Sequence, residues 1–370
     1  MYKVVIASVL KPLNDPRSFD KLGLSLCETN KYQLNIIGFF AKNVINNPHL
    51  VFKTIYSGLR LHPKRLLVPW RFMNLLQDCF PDLVIVTTYE LLPAAVWAKK
   101  RLGFKLIYDV QENYALNILD HNTLPFGMGY AYAKLVQLIE KRTAPYVDHF
   151  LLAEESYKDE LPFIGKHTVL QNKFSGNINP VKPYRLDKVK IFHFVISGTL
   201  TPSYGSHEAM HWFAEILNRY PGSKLTIIGH VPLNTYKNKL EKIGSKNHAF
   251  KLHLSSTPIA HQEILRVLKS ADIVLLPYLQ KSSIKYKIPT KLYEALALGK
   301  PVLYTQNLYW DALVQRYPGG MPIDFSNKNS AIKAFESFLS LTLYNTPPTK
   351  ELTWEHEKAQ WKAIVDKLIQ

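Results

Sequence analysis

Short apolar runs alternate with helical patterns from one end of this chain to the other, and that alternation leaves few architectures open. Val4–Ser8, Leu34–Gly38, Leu83–Thr87, Lys105–Asp109 and His149–Leu152 read as strands, with helical patterns such as Ser18–Glu28, Pro93–Arg101 and Tyr130–Arg142 between them. A polar stretch rich in Asn, Lys and Pro, Asn172–Lys188, interrupts the pattern and reads as a linker. The second half then starts over with Phe192–Ser197, Lys224–Ile228, Lys251–Leu254, Asp272–Leu276 and Val302–Tyr304. The pattern predicts an α/β chain of two doubly wound Rossmann-like domains, residues 1–175 and 189–350. The two should face each other across a cleft at the carboxyl ends of their sheets, where ligands bind in such folds. Residues 351–370 are amphipathic, with Trp354, Trp361, Ile364 and Leu368 near helical spacing, and are expected to pack back on the first domain.

At 370 residues and 47% hydrophobic, the chain is long enough for two such cores. Its apolar runs fall far short of the roughly 20 residues that a spanning helix needs. The N-terminal Val4–Leu10 run resembles a signal-peptide core, but Lys11, Pro12 and Asn14-Asp15 follow it where a cleavage site of small residues belongs, so it reads as a first buried strand. Cys27 and Cys79 sit singly in apolar helical patterns, which argues against a disulfide framework or a cysteine metal site and for a reduced, cytoplasmic setting.

A formal net charge of +17 asks for an acidic partner. No acidic residue occurs from Ala41 to Gln77, while Lys42, Lys53, Arg60, Lys64, Arg65 and Arg71 alternate with Phe52, Tyr56, Trp70 and Phe72. Cations interleaved with large rings suit an anionic bilayer surface, so residues 42–72 are expected to dock peripherally on the inner face of the cytoplasmic membrane. The same composition also fits a basic surface whose aromatics turn into the core. No nucleic-acid module is visible, and nucleic acid is not an expected partner.

The densest chemistry lies in Lys287–Val302, KIPTKLYEALALGKPV. Pro289 and Thr290 form a helix start, Lys291–Leu298 a run of good helix formers, and Gly299 a stop before the next apolar strand. The first turn of a helix leaves backbone N–H groups unpaired at a partly positive end, and with Lys291 beside them those donors suit a diphosphate. Glu294, one turn on, is placed to accept hydrogen bonds from vicinal hydroxyls such as those of a ribose. Phosphate with ribose means nucleotide. A plain helix-to-strand connection with Glu294 at the surface fits the spacing equally well.

His207-Glu208-Ala209-Met210-His211 satisfies H-E-x-x-H, the pattern in which two histidines one turn apart bind zinc and the glutamate activates water. Taken alone it suggests a zinc metalloprotease. Ala214 and Leu217 stand where the longer metzincin pattern needs Gly and His, and no third-ligand helix follows, so no metal is expected.

Taken together, these segments resemble the GT-B glycosyltransferases of family 4. Asn14–Leu26 is similar to the family's acidic-x-Arg loop, Tyr108–Asn113 (YDVQEN) to its D-x-H-E element, and Ser197–Gly205 to the strand and loop that meet the donor phosphates. KIPTKLYEALALGKPV and the terminal Trp354-Glu355 complete the likeness. Three positions depart from the pattern. The first of the family's two glutamates falls on Tyr286, Thr199 and Tyr204 stand where the phosphate loop usually carries an Arg and a Lys, and the histidine of D-x-H-E is Gln111.

The resemblance implies a retaining transfer of sugar from a nucleotide-sugar donor to a saccharide or lipid-linked acceptor, in cell-envelope or surface polysaccharide synthesis. It implies no cofactor beyond that co-substrate and no obligatory metal. Thr290, Lys291 and Lys287 would meet the diphosphate, with Thr199 in the phosphate loop; Glu294 would hold the ribose and Ser255 would lie near the base. Gln111 and Glu112 would face the sugar, and Asp15 and Arg17 would line the cleft near acceptor and phosphates. If the reaction inverted, Glu112 or Asp15 would have to serve as general base. The substitutions at 199, 204 and 286 keep open a non-catalytic protein that binds a sugar nucleotide or a partner transferase, and an epimerase on the same fold is a further alternative.

Overall fold

The structure is a computed structural model and describes residues 1–39, 48–56, 63–121 and 127–370, the side chains at 63, 64 and 121 excepted. The chain divides into two compact units, Met1–Ser175 with Trp354–Gln370, and Gly176–Thr353.

The described residues of the first unit form seven parallel strands: β1 (Tyr2–Pro12), β2 (Tyr32–Phe39), β3 (Leu50–Thr54), β4 (Leu83–Val86), β5 (Lys105–Val110), β6 (His149–Leu152) and β7 (His167–Val169). They lie in the order β3-β2-β1-β4-β5-β6-β7, so the winding reverses between β1 and β4. Side chains alternate strictly across the sheet. Val5, Ala7, Val84, Val86, Leu106 and Tyr108 enter one core, and Val4, Ile6, Leu83, Ile85 and Ile107 the other. Both faces are buried, which is why these strands read as continuous apolar runs. The helix Trp354–Ile369 belongs to this unit and covers the second core with Trp354, Trp361 and Val365. Each indole also finds an acceptor, Trp354 Nε1 donating to Ser25 Oγ at 2.8 Å and Trp361 Nε1 to Leu22 O at 3.0 Å.

The second unit has six parallel strands: β8 (His193–Thr199), β9 (Lys224–His230), β10 (Phe250–Ser255), β11 (Ile273–Leu276), β12 (Val302–Tyr304) and β13 (Gly320–Pro322). Their order, β10-β9-β8-β11-β12-β13, reverses between β8 and β11. In both sheets the reversal opens a crevice at the carboxyl ends of the two central strands, the usual ligand position in doubly wound folds.

In the basic aromatic segment most of the described rings turn inward. Lys42 and Arg60 lie outside the described residues, as does the side chain of Lys64. The described part contains the edge strand β3 and the helix Val68–Cys79, whose sheet-facing side buries Phe72, while Tyr56 joins the same core. Phe52 packs on Phe19 with ring centroids 5.6 Å apart. Arg65 is held by both oxygens of Glu90, at 2.8 and 2.9 Å. Of the four rings, Trp70 alone is exposed, at 60%, because a helix with one face on a sheet leaves the other to solvent. No described helix is long and apolar enough to cross a membrane.

Candidate functional site

Two glycines decide what gathers at the β8/β11 reversal. Gly198, at the end of β8, has φ +105°, and a Cβ there would lie 2.0 Å from Lys291 Cε and 2.4 Å from its Nζ. The lysine stem therefore runs directly over the Gly198 backbone, a path that a side chain would block. Gly205, with φ +63°, brings the loop after β8 onto the segment after β11, since a Cβ would meet Pro277 O at 1.8 Å. Leu279 N donates to Ser203 O at 2.9 Å and closes the same contact.

The helix Thr290–Ala297 starts at this place. Its N-cap residue is Pro289, which supplies no side-chain cap, so the first-turn N–H groups are left without a capping side chain beside the Lys291 ammonium. No ion pair to Lys291 forms among the described residues. Glu294 is 4% exposed, which removes the surface alternative for it. Its Oε1 lies 2.7 Å from His261 Nε2, the imidazole donating. Burial first, and the Glu294 charge second, hold the nearby Tyr278 phenol well above its usual range, so it stays protonated.

The remaining donor-side candidates surround this helix. Trp310 Nε1 donates to Lys287 O at 2.6 Å and Asn307 Nδ2 to Lys285 O at 2.9 Å, which fixes the chain leading into the helix. Thr199 is exposed at the end of β8, and in sheet register it stands beside His230, which in turn pairs with Ser255. Ser255 Oγ is taken up locally, accepting from Thr257 N at 3.0 Å. Tyr204 packs on Tyr278 with centroids 4.7 Å apart, and Tyr286 meets Tyr309 edge-on at 5.9 Å. Aromatic contacts thus occupy two positions where the family pattern carries charge.

At the carboxyl end of the first sheet the candidates are locked to one another. Asp15 is an N-cap: its Oδ2 accepts from Arg17 N at 3.1 Å and Ser18 N at 3.0 Å. Arg17 does not line an open surface. It is 2% exposed, grips Asp109 through Nε and Nη2 at 2.7–3.1 Å, and donates Nη1 to Leu170 O at 2.9 Å. The reason is electrostatic, because Asp109 is fully buried on β5 and a buried carboxylate needs a paired cation. Gln111 Nε2 donates to Asp109 Oδ2 at 2.8 Å, which extends the network by one residue. Glu112 is the open member, 42% exposed at the side chain, with Lys11 at 3.4 Å and Asn117 Nδ2 donating at 3.1 Å.

Sequence reading missed Asp109, His261, Asn307 and Trp310 as parts of these two sites. Asp109 stood in the quoted YDVQEN segment, and His261 stands at the first position of the helix His261–Lys269, but neither carries a local signal for its partner. Among the described residues no group of three or more His, Cys, Asp or Glu is placed to hold a metal ion. His207 and His211 stack edge-to-face in the helix Ser206–Arg219, with centroids 4.7 Å apart.

Comparison with known proteins bears on the sequence of the second unit and on the fold. Residues 184–350 match the family described as glycosyl transferases group 1. An uncharacterized glycosyltransferase of Methanocaldococcus jannaschii is 22% identical over 64% of this chain, a match that spans 58% of that relative's length. Among solved structures, sucrose-phosphate synthase from Thermosynechococcus elongatus superposes with a TM-score of 0.67 at 13% identity, covering 100% of this chain and 99% of its own. Anabaena HepE in complex with UDP-glucose gives 0.61 at 11% identity, with both chains covered in full (100%). An E. coli trehalose-6-phosphate protein bound with UDP-2-fluoro glucose gives 0.58 at 12% identity, covering 100% and 99%. The match to the group 1 glycosyl transferases thus lies within the second unit, and the two units carry the GT-B fold of these solved structures.

Proposed function

We propose that the chain transfers a sugar, with retention at the anomeric carbon, from a nucleoside-diphosphate sugar to a saccharide or lipid-linked acceptor of envelope or surface polysaccharide synthesis. The observation that carries this reading is the Lys291 side chain laid over Gly198, with the buried Glu294 carboxylate one turn further along the same helix. As the glycosidic bond breaks, the leaving diphosphate gains negative charge. Preorganised N–H groups and an unpaired ammonium stabilise that charge more than they stabilise the bound donor, which is what lowers a barrier. Thr290 and Lys287 join Lys291 at the phosphates, Thr199 borders them on β8, Glu294 takes the ribose hydroxyls, and Ser255 lies toward the base.

In the first unit, Glu112 and Gln111 are assigned to the sugar and acceptor. Asp15 and Arg17 act through structure: the first caps its helix and the second neutralises Asp109. An inverting reaction would fall to Glu112 as base, since its side chain is 42% exposed whereas Asp15 is buried at 8% and engaged as a helix cap. No metal takes part in the proposed step. Two similar structures carry UDP-glucose or its 2-fluoro analogue, which makes uridine the first base to try.

The test is thermal unfolding of the purified chain with UDP, GDP, ADP, CMP and dTDP and their common sugars, repeated on Glu294→Ala. Stabilisation by one nucleotide, absent in the variant, is expected. Stabilisation by none would sink the donor reading. A second reading, a protein that binds the donor without turnover, draws on the ring contacts of Tyr204 and Tyr286 where charge is usual. It predicts nucleotide binding with no release of nucleotide from any sugar donor in the presence of acceptors.

Peripheral membrane docking rests on Leu66 at 85% exposure, Leu67 at 50% and Trp70 at 60%, in the same basic stretch as Arg71. It predicts flotation with anionic vesicles that weakens in the triple replacement of Lys64, Arg65 and Arg71. Equal flotation by that variant would remove this part.

A further inference from the structure

We propose that His261 is a positioning residue for the donor. Its imidazole holds one oxygen of Glu294 so that the carboxylate turns its other oxygen to the ribose and stays off Lys291. The inference rests on the reading of Glu294 as the ribose-binding carboxylate.

A carboxylate only 4% exposed must be hydrogen-bonded, and among the described residues the His261 contact at 2.7 Å is the single bond that Glu294 makes. That bond occupies Oε1, and the acceptor capacity of Oε2 is left for a ligand. A vicinal diol offers two O–H donors, which that free capacity can take.

The second half of the inference comes from helix geometry. Lys291 and Glu294 are three residues apart on one helix, the spacing at which a lysine and a glutamate pair readily. Such a pair would neutralise the ammonium that the diphosphate needs and would turn the carboxylate away from the sugar. No such ion pair forms among the described residues. The third group that decides between the two outcomes is His261, which comes from a different element, the helix His261–Lys269, anchored by its fully buried Leu268. Its ring, 25% exposed, is near enough to the surface to meet a bound ligand and fixed enough to aim the carboxylate.

The experiment is isothermal titration of the full chain with UDP, GDP, ADP and CDP and with their 2′,3′-dideoxy counterparts, carried forward for the base that binds. The wild type is expected to favour the ribose form about a hundredfold, the scale of two hydrogen bonds to a charged group. His261→Ala should cut that preference about tenfold while dideoxy affinity stays within about twofold, and His261→Gln, which puts an amide N–H near the same place, should restore most of it. A preference unchanged in His261→Ala overturns the proposal, and so does equal weakening of both forms, which marks a merely structural role.

Glu294→Gln separates this inference from the reading beneath it. If the ribose preference survives in that variant, the ribose lies elsewhere and both fall. If the preference is lost there yet intact in His261→Ala, only the role of His261 falls. Failure of all four diphosphates to bind removes the donor reading and this inference with it.

Discussion

The two units wind their sheets in the same way, yet the polar groups at their reversal points differ in what they leave unsatisfied. In the first unit, Arg17, Asp109 and Gln111 satisfy one another in the interior, and Asp15 spends one oxygen on a helix start. In the second, Lys291 has no carboxylate partner among the described residues and Glu294 has one hydrogen bond with capacity to spare. A charge that is already paired adds stability or specificity of fold, whereas one held in place but unpaired is available to a ligand. On the proposed reading, the difference gives structural work to Asp15, Arg17 and Asp109 and binding work to Lys291 and Glu294, although all of these residues sit at the same end of a βα unit.

The largest expected effect would break the contrast on the first side. Arg17→Ala strands a buried carboxylate and should cost about 3–5 kcal/mol in urea unfolding. Unchanged stability with lost turnover would instead place Arg17 among the binding groups.

Glu140 extends the same test, for it is another buried acid in the first unit, with Tyr108 Oη donating to it at 2.7 Å and no ion-pair partner among the described residues. Burial pushes its carboxyl up to about 7 from the ordinary 4.5, and the tyrosine hydrogen bond only partly offsets this. Between those values the folded chain keeps a proton that the unfolded chain has lost, so stability falls as pH rises through the window and levels off above it. Glu140→Gln should match the wild type below the window and exceed it by about 3 kcal/mol above pH 7 in denaturant titrations. A gap that does not change with pH would mean the acid is ionised in the fold.

On the second side, Lys291→Ala should lower kcat about a hundredfold, the scale of one preorganised charge, with unfolding shifted by less than about 0.5 kcal/mol. A large loss of stability would make Lys291 a structural residue like Arg17 and erase the contrast. Gly198→Ala sharpens it by moving the lysine without removing it. The added methyl needs the space of Lys291 Cε and a φ of +105°, and turnover is expected to fall about tenfold with stability reduced by about 1–3 kcal/mol. Wild-type turnover in that variant would show that the path of the lysine over β8 does not matter.

Most strands were legible because a strand buried on both faces has to be apolar throughout, and Leu83–Val86 or Ile273–Leu276 can be little else. The three strands that the sequence reading passed over, β3, β7 and β13, are all at sheet edges. An edge strand pairs on one side only and keeps part of its surface open, so His167–Val169 and Gly320–Pro322 carry no apolar run, and Leu50–Thr54 looked like part of a basic stretch. The placement of Tyr56 and Phe72 stayed open for a related reason: composition shows that rings and cations alternate, while only packing shows which way each ring turns.

Local patterns along the chain, each with a local physical cause, account for the alternating architecture, the restart after the polar linker, and the helix start that places Lys291 and Glu294 one turn apart. Tertiary structure alone decided the partners. Arg17 meets Asp109 across 92 positions and His261 meets Glu294 across 33. Strand order sets those meetings, and at Gly198 and Gly205 the missing side chains let separate loops close on one another. Whether a charged residue is satisfied or left open depends on what the fold brings to it, and no spacing along the chain encodes that.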